Sequence, residues 1–304
     1  MKTILITGAT GLVGKSVLSR LLQNNFQVYC LGRTKPNFIQ NTLKFIPCDL
    51  SLECNDVLNK LPKIDFAIHM AAHIGGQDLK RDCDLYQSIN IKFTENLFKF
   101  CQKHSVNKTI FLSSLSILQK PLQVPVDENH PIAPATPYAQ SKRDGELLLF
   151  KYIPQPNSAI IFRISSPLPQ HFTELHDTVV KKWILKALRN EPIEIFGQGS
   201  RTQDFISTQD ISAAILNALH SENAKGIYNI ASGKTISMKR LAQIISNHFG
   251  HSLIQFSGND PCETDRWDIS ISKARQELSF VPEYTPESSL NKLFLSAHET
   301  SHIK

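Results

Sequence analysis

Tyr138 and Lys142 stand four residues apart in the stretch YAQSK, one helical turn of separation. A free phenol titrates near ~10 and is a poor base at neutral pH. An ammonium on the same helix face favours the phenolate and brings its pKa toward a useful value, so the pair has the makings of a proton-transfer device. Tyr138 follows Ser114 by 24 residues, and Ser113 and Ser114 close the apolar run that begins TIFL. A Tyr-x-x-x-Lys pair occurs on many surface helices, so its meaning rests on the elements that carry it.

Those elements alternate. Short apolar runs predict strands at 3–7, 26–31, 43–47, 65–69, 108–112 and 158–163. Helical patterns fit 13–23, 84–103 and 137–152. Strands separated by helices imply parallel pairing with right-handed crossovers, hence an α/β fold with a Rossmann-type doubly wound sheet over residues 1–165. The catalytic helix, 137–152, belongs to that domain. Ligands of such sheets bind at the carboxyl ends of the strands, where Ser113 and Ser114 fall. Residues 166–304 read as a smaller C-terminal α/β substrate-binding lobe, some of whose segments return to the first domain. Its helices are expected at 179–190 and 236–249, and a strand at 226–230. Prolines cluster at 121–137 and 154–169, marking loops beside the catalytic helix and at the domain junction.

The first strand runs straight into TGATGLVG, which opens the first helix. A sharp turn, backbone amides close to a pyrophosphate, and a helix lying near the sheet each favour a residue without Cβ. Gly8, Gly11 and Gly14 meet those needs, with Thr10, Leu12 and Val13 between them. The helix N-terminus adds a favourable field for the anion.

The G-x-x-G-x-x-G spacing, with the serine pair and YAQSK in this order, resembles the extended branch of the short-chain dehydrogenase/reductase superfamily. More specifically it resembles the NAD(P)-dependent nucleotide-sugar epimerase/dehydratase family, over nearly the whole chain. The resemblance implies that Ser114 holds the substrate oxygen and Tyr138 serves as acid or base. It implies that Lys142 lowers the tyrosine's pKa and grips the nicotinamide ribose. Ser113 is then a structural and cofactor-side residue, and Ser116 lines the substrate pocket. Further resemblances assign Asp49 and Leu50 (in CDLS) to the adenine, Ala71 and Ala72 (in HMAA) to the cofactor's path along the backbone, and Asn90 (in SIN) to the cofactor side.

At the end of strand two, Gly32 stands where NAD-preferring members usually carry Asp, and Arg33 follows it. No carboxylate in this turn repels a 2′-phosphate, and a guanidinium binds one bidentately. NADP is therefore favoured over NAD.

Leu115 and Ser116 occupy the positions where sugar 4,6-dehydratases of the family carry Asp and Glu, so dehydration is disfavoured. Epimerisation and carbonyl reduction need only Ser, Tyr and Lys. In the second half, IFGQGSRTQDFISTQDIS resembles nucleotide-sugar-modifying members. Arg201 matches their phosphate-contacting arginine, and Asp210 is expected to cap the next helix. Arg266 matches an arginine that grips the diphosphate, and Ser166 stands, as a shorter polar substitute, where the family often has an Asn that contacts the nucleotide sugar. His171 and His176 fall where some reductases use a histidine as second acid.

The implied function is NAD(P)-dependent hydride transfer at a nucleotide-linked sugar, as a 4-epimerase or 4-ketoreductase. Arg33 tilts it toward reduction. Reduction of a non-sugar aldehyde or ketone by NADPH is the enzymatic alternative, and a non-catalytic NADP-binding sensor or scaffold is the alternative of another class. Composition agrees with a globular enzyme, at 41% hydrophobic and 20% charged, and a net charge of +6 is too mild for nucleic-acid binding. No apolar run reaches the ~18–20 residues of a membrane span. Six cysteines without a C-x-x-C pair argue against zinc, predict no metal site, and suit reduced thiols in the cytoplasm. Leu85, Ile89, Phe93, Leu97 and Phe100 form an apolar stripe that would serve a homodimer or the helix's own sheet.

Overall fold

The computed structural model describes residues 1–75, 79–121, 123–153, 159–250 and 252–301. Among these the strands are β1 (Thr3–Thr7), β2 (Gln27–Gly32), β3 (Leu43–Pro47), β4 (Phe66–His69), β5 (Lys108–Ser114), β6 (Ala159–Ile164), β7 (Ser166–Leu168), β8 (Ile193–Phe196), β9 (Thr202–Ser207), β10 (Gly226–Ile230), β11 (Thr235–Ser237) and β12 (Ile254–Ser257). The helices are α1 (Gly14–Gln23), α2 (Asn55–Asn59), α3 (Leu79–Leu85), α4 (Thr94–Lys103), α5 (Pro137–Tyr152), α6 (Val179–Leu188), α7 (Thr208–His220), α8 (Met238–His248), α9 (Ser272–Leu278) and α10 (Pro286–Ser301).

One seven-stranded sheet runs in the order β3-β2-β1-β4-β5-β6-β10, with every pairing parallel. Both of its faces are covered, which is why its strands are near-continuous apolar runs rather than alternating ones. Ile4, Ile6, Val28, Ile68 and Ile110 pack on one face with α1 and α7. Leu5, Ala67, Phe111 and Ile161 pack on the other with Phe98, Cys101 and Leu149. Each fully buried aliphatic side chain contributes about 1.5–3 kcal/mol. The order reverses between β1 and β4, so their carboxyl ends open a crevice for a ligand.

β10 joins the large sheet beside β6, although it comes from the second half of the chain. α7 lies against α1, where Arg20 Nε donates to Ser212 Oγ at 2.7 Å and Ser16 Oγ to Thr208 Oγ1 at 2.9 Å. A separate core gathers Trp183, Ile184, Phe205, Leu241, Ile245 and Phe294 around the small β7-β9-β11 sheet and its helices.

Two local expectations are corrected. The helix expected at 84–103 begins earlier and is interrupted: α3 and α4 flank a π-helical segment, Tyr86–Phe93. Such widened turns are rare, and this one contains the buried Asn90. Asp210 does not cap α7; Ser207 does, accepting from Gln209 N at 3.2 Å. The Asp210 carboxylate instead accepts from Glu283 N at 2.8 Å and Tyr284 N at 3.2 Å, tying the C-terminal segment to α7. Within the apolar stripe, Phe93, Leu97 and Phe100 are buried in the chain's own core. No described helix is long and apolar enough to cross a membrane.

Candidate active site

The carboxyl edge of the large sheet carries a cavity of about 690 Å³. One end is the glycine turn. Gly8 has φ +75°, and a Cβ there would sit 2.6 Å from Ala71 N. A Cβ on Gly14 would sit 1.9 Å from Gly8 O, so neither position admits a side chain. No side chain caps α1, whose positive N-terminal end therefore lies at the cavity end with no capping side chain in the way, although Lys15 N already donates to Gly11 O at 3.2 Å. Thr10, Gly11, Leu12, Val13, Ala71 and Ala72 complete this wall.

His69, one residue before the wall begins, is fully buried, and burial together with the Lys142 charge pushes its pKa down to about 3. The neutral ring bonds Thr7 Oγ1 and Thr94 Oγ1, each at 2.7 Å. Thr7 also accepts from Ala71 N at 3.3 Å, which anchors the start of the β4 loop to β1.

Beside the turn, Arg33, Asp49 and Leu50 line the cavity. A Cβ on Gly32 would meet nothing within 4 Å, leaving open space beside the exposed Arg33. Asp49 accepts from Ser51 N at 3.0 Å and Ser51 Oγ at 2.8 Å. Those bonds first, and the Arg33 charge after them, hold its carboxyl below the usual range.

The middle of the cavity gathers Ser113, Ser114, Tyr138 and Lys142. α5 begins where Thr136 accepts from Ala139 N at 3.1 Å and Pro137 fills the first turn, an N-terminus that needs no external partner. Tyr138 and Lys142 follow on one face, and Lys142 Nζ lies 6.0 Å from the Tyr138 ring centre. Lys142 Nζ donates to Leu112 O at 2.6 Å. Ser114 Oγ accepts from Ser116 N at 3.1 Å, which leaves its own proton free to donate. Ser113 Oγ is buried without a hydrogen-bond partner among the described residues.

The electrostatics reverse one expectation. Burial, with a smaller push from Tyr86, raises Tyr138 to about 12. Burial also lowers Lys142 to about 7, against the pull of Glu146. In this closed, apolar setting desolvation outweighs the attraction between the two groups, and both neutral forms gain.

The uncapped turn, the side-chain-free Gly8 and Gly14, and the unpartnered Ser113 hydroxyl fit a dinucleotide cofactor. Gly8 to Gly14 would hold its pyrophosphate, Asp49 and Leu50 its adenosine end, and Lys142 its second ribose.

At the far end Ser116, Ser166, Arg201 and His176 line the cavity. Ser166 Oγ accepts from Gln203 Nε2. Arg201 Nε lies 3.1 Å from Asp260 Oδ2. Three expected residues stand elsewhere. Asn90 is buried outside the cavity lining, and its amide is committed. Its Oδ1 accepts from His73 N at 2.7 Å, and its Nδ2 donates to His73 O and Ser141 Oγ, each at 2.9 Å. It clamps the β4 loop to α5. Arg266 is exposed and off the lining, its Nη1 donating to the carbonyls of Glu263 and Asp265 at 3.1 Å each. His171 is off the lining too.

Sequence reasoning missed Gln203, Trp267, Ile269 and His73, all of which line the cavity. Strand alternation could have found Gln203, two residues beyond Arg201 on one face. No sequence signal marks His73, whose Nε2 lies 2.6 Å from Asp82 Oδ1. Among the described residues no cluster of His, Cys, Asp or Glu is disposed to bind a metal.

Comparison with known proteins agrees with this geometry. A Methanocaldococcus jannaschii protein named as a candidate UDP-glucose 4-epimerase is 31% identical over 292 residues, covering 92% of this chain and 93% of its own. The dTDP-4-dehydro-6-deoxyglucose reductase of Escherichia coli is 25% identical, covering 96% of each chain. The solved structure of MoeE5 in complex with UDP-glucose and NAD shares the fold, with a TM-score of 0.84 at 21% identity over 98% of this chain and 99% of that one. Residues 4–231 match a single family description, and by that match the chain belongs to the NAD dependent epimerase/dehydratase family.

Proposed function

We propose that this protein transfers hydride at C4 of a nucleotide-linked sugar, as a 4-epimerase or 4-ketoreductase. The observation that carries the reading is the meeting of Ser114, Tyr138 and Lys142 in the middle of one cavity, between a dinucleotide cradle and a polar far end. A nicotinamide dinucleotide supplies the hydride-carrying ring. Ser114 donates a hydrogen bond to the substrate oxygen. Tyr138 moves that oxygen's proton. Lys142 holds the ribose, and its charge when protonated counters the burial that raises the phenol. Residues 1–165 hold the cofactor in this reading, and 166–304 supply the substrate contacts.

NADP is the proposed cofactor preference. Support comes from the open space at Gly32 beside the exposed Arg33. Arg33 also faces the Asp49 charge, which tempers the pull on a 2′-phosphate. A homodimer through the outer faces of α4 and α5 is proposed with the exposed Leu147 in its interface, and the free cysteines fit a cytoplasmic setting.

A second reading, NADPH-dependent reduction of a non-sugar aldehyde or ketone, is favoured by one observation. Arg266 faces its own backbone off the cavity lining, so the expected pair of guanidiniums does not converge.

Tyr138→Phe tests the catalytic reading. Turnover with a nucleotide 4-ketosugar should fall ~10²–10⁴-fold, with cofactor affinity retained. Full activity in this variant would remove Tyr138 as the proton carrier. A sensor or scaffold would show no turnover in either form.

A further inference from the structure

We infer that Asp260 is a positioning residue that presents Arg201 to an anionic group of the substrate; the inference rests on the nucleotide-sugar reading. Arg201 sits just before β9 and lines the cavity. Its Nε is buried 3.1 Å from Asp260 Oδ2, an ion pair without an aligned hydrogen bond. Nη1 and Nη2 have no partner among the described residues. A guanidinium whose buried Nε edge lies beside a carboxylate keeps its two terminal nitrogens for a bidentate contact, the geometry that suits phosphate oxygens.

The carboxylate is itself held. Asp260 Oδ1 accepts from Cys262 N at 2.8 Å. The turn that carries Arg201 is pinned by the same loop: Glu263 accepts from Gln198 N at 2.9 Å and from Ser200 N at 2.6 Å. Space there is tight, since a Cβ on Gly197 would sit 2.0 Å from Glu263 Oε2 and 3.1 Å from Asp260 Cβ. From the other side Met238 N donates to Arg201 O at 3.0 Å. The neighbouring acids are also engaged, Glu263 by backbone amides and Asp265 by Lys120 Nζ at 2.6 Å. Asp260 therefore lowers the freedom of Arg201 before any ligand arrives, which reduces the ordering cost on binding. The alternative role for the same carboxylate is competition, in which a diphosphate must displace it. The two roles predict opposite signs.

Titration calorimetry of UDP-glucose and of UDP onto cofactor-loaded protein separates them. Positioning predicts that Asp260→Asn weakens both ligands about tenfold, the scale of one charge-assisted contact, while cofactor affinity and thermal midpoint hold. Asp260→Glu should recover part of the loss. In an Arg201→Ala background Asp260→Asn should have no further effect, because the role runs through Arg201. Unchanged or tighter binding in Asp260→Asn overturns the inference, as does an equal loss in both backgrounds. If the wild type binds neither UDP-glucose nor UDP yet binds cofactor, the nucleotide-sugar reading falls and the inference with it.

Discussion

Arg163 and Glu146 form a buried ion pair that fastens α5 to the sheet, and it lends itself to a quantitative test. Arg163 in β6 is 1% exposed and Glu146 in α5 is fully buried. Arg163 Nε and Nη2 each reach one Glu146 oxygen at 3.0 Å, a bidentate contact, while Nη1 donates to Glu128 O at 2.9 Å. Arg143 adds a second, partly exposed cation 3.2 Å from the same carboxylate. Glu146→Leu leaves the Arg163 guanidinium buried without its counter-charge, which costs about 3–5 kcal/mol. That is a large part of the ~5–15 kcal/mol a domain has in hand. The double change Glu146→Leu with Arg163→Met removes the stranded charge. Its remaining losses are the Glu128 carbonyl bond, about 1 kcal/mol, and the Arg143 contact, at most ~1 kcal/mol. The double variant should therefore lie within ~2 kcal/mol of wild type. Urea unfolding followed by tryptophan fluorescence reads both. A single variant that loses less than ~1 kcal/mol, or a double variant no more stable than the single, refutes the reasoning.

Two further outcomes are expected. Lys142 titrates at about 7 in the folded chain, well below the ~10.4 of an unfolded lysine. Between those values the unfolded state binds more protons, so this group makes stability rise with pH across roughly 7 to 10 and withdraws that gain as pH falls. Lys142→Met should remove the slope; urea midpoints at several pH values read the difference, and parallel profiles for wild type and variant would sink the assignment. Arg33→Ala should weaken NADP binding about tenfold and leave NAD binding within about twofold, by fluorescence titration of each. An equal effect on both cofactors would show that Arg33 does not read the 2′-phosphate.

Most of the large sheet was legible because its signals are local. TILIT and GIYNI are apolar runs of strand length, and the strands observed at Thr3–Thr7 and Gly226–Ile230 match them. The α5 start was legible for the same reason, with Thr136 and Pro137 carrying their own capping chemistry. The π-helical segment was not, since apolar spacing does not mark a widened turn, and the β4 loop that Asn90 binds through both ends of its amide is remote in sequence. Asp210 misled because an acid near a helix start looks like a cap until the C-terminal amides that claim it are in view.

Residue type and order were enough to name the glycine turn, the serine pair and the Tyr138–Lys142 spacing, because each is a short-range requirement of backbone conformation or helix pitch. Solvation and long-range company were not readable in this way. Lys142 and Tyr138 are one turn apart in any helix, yet burial under the folded chain moves both pKa values away from the charged forms. Arg201 and Arg266 look alike in a string of letters, but the folded loop at 260–266 sets one beside Asp260 on the cavity wall and turns the other onto its own carbonyls. Desolvation and through-space partners belong to the assembled chain, and they separate a residue of the right type from a residue in the right place.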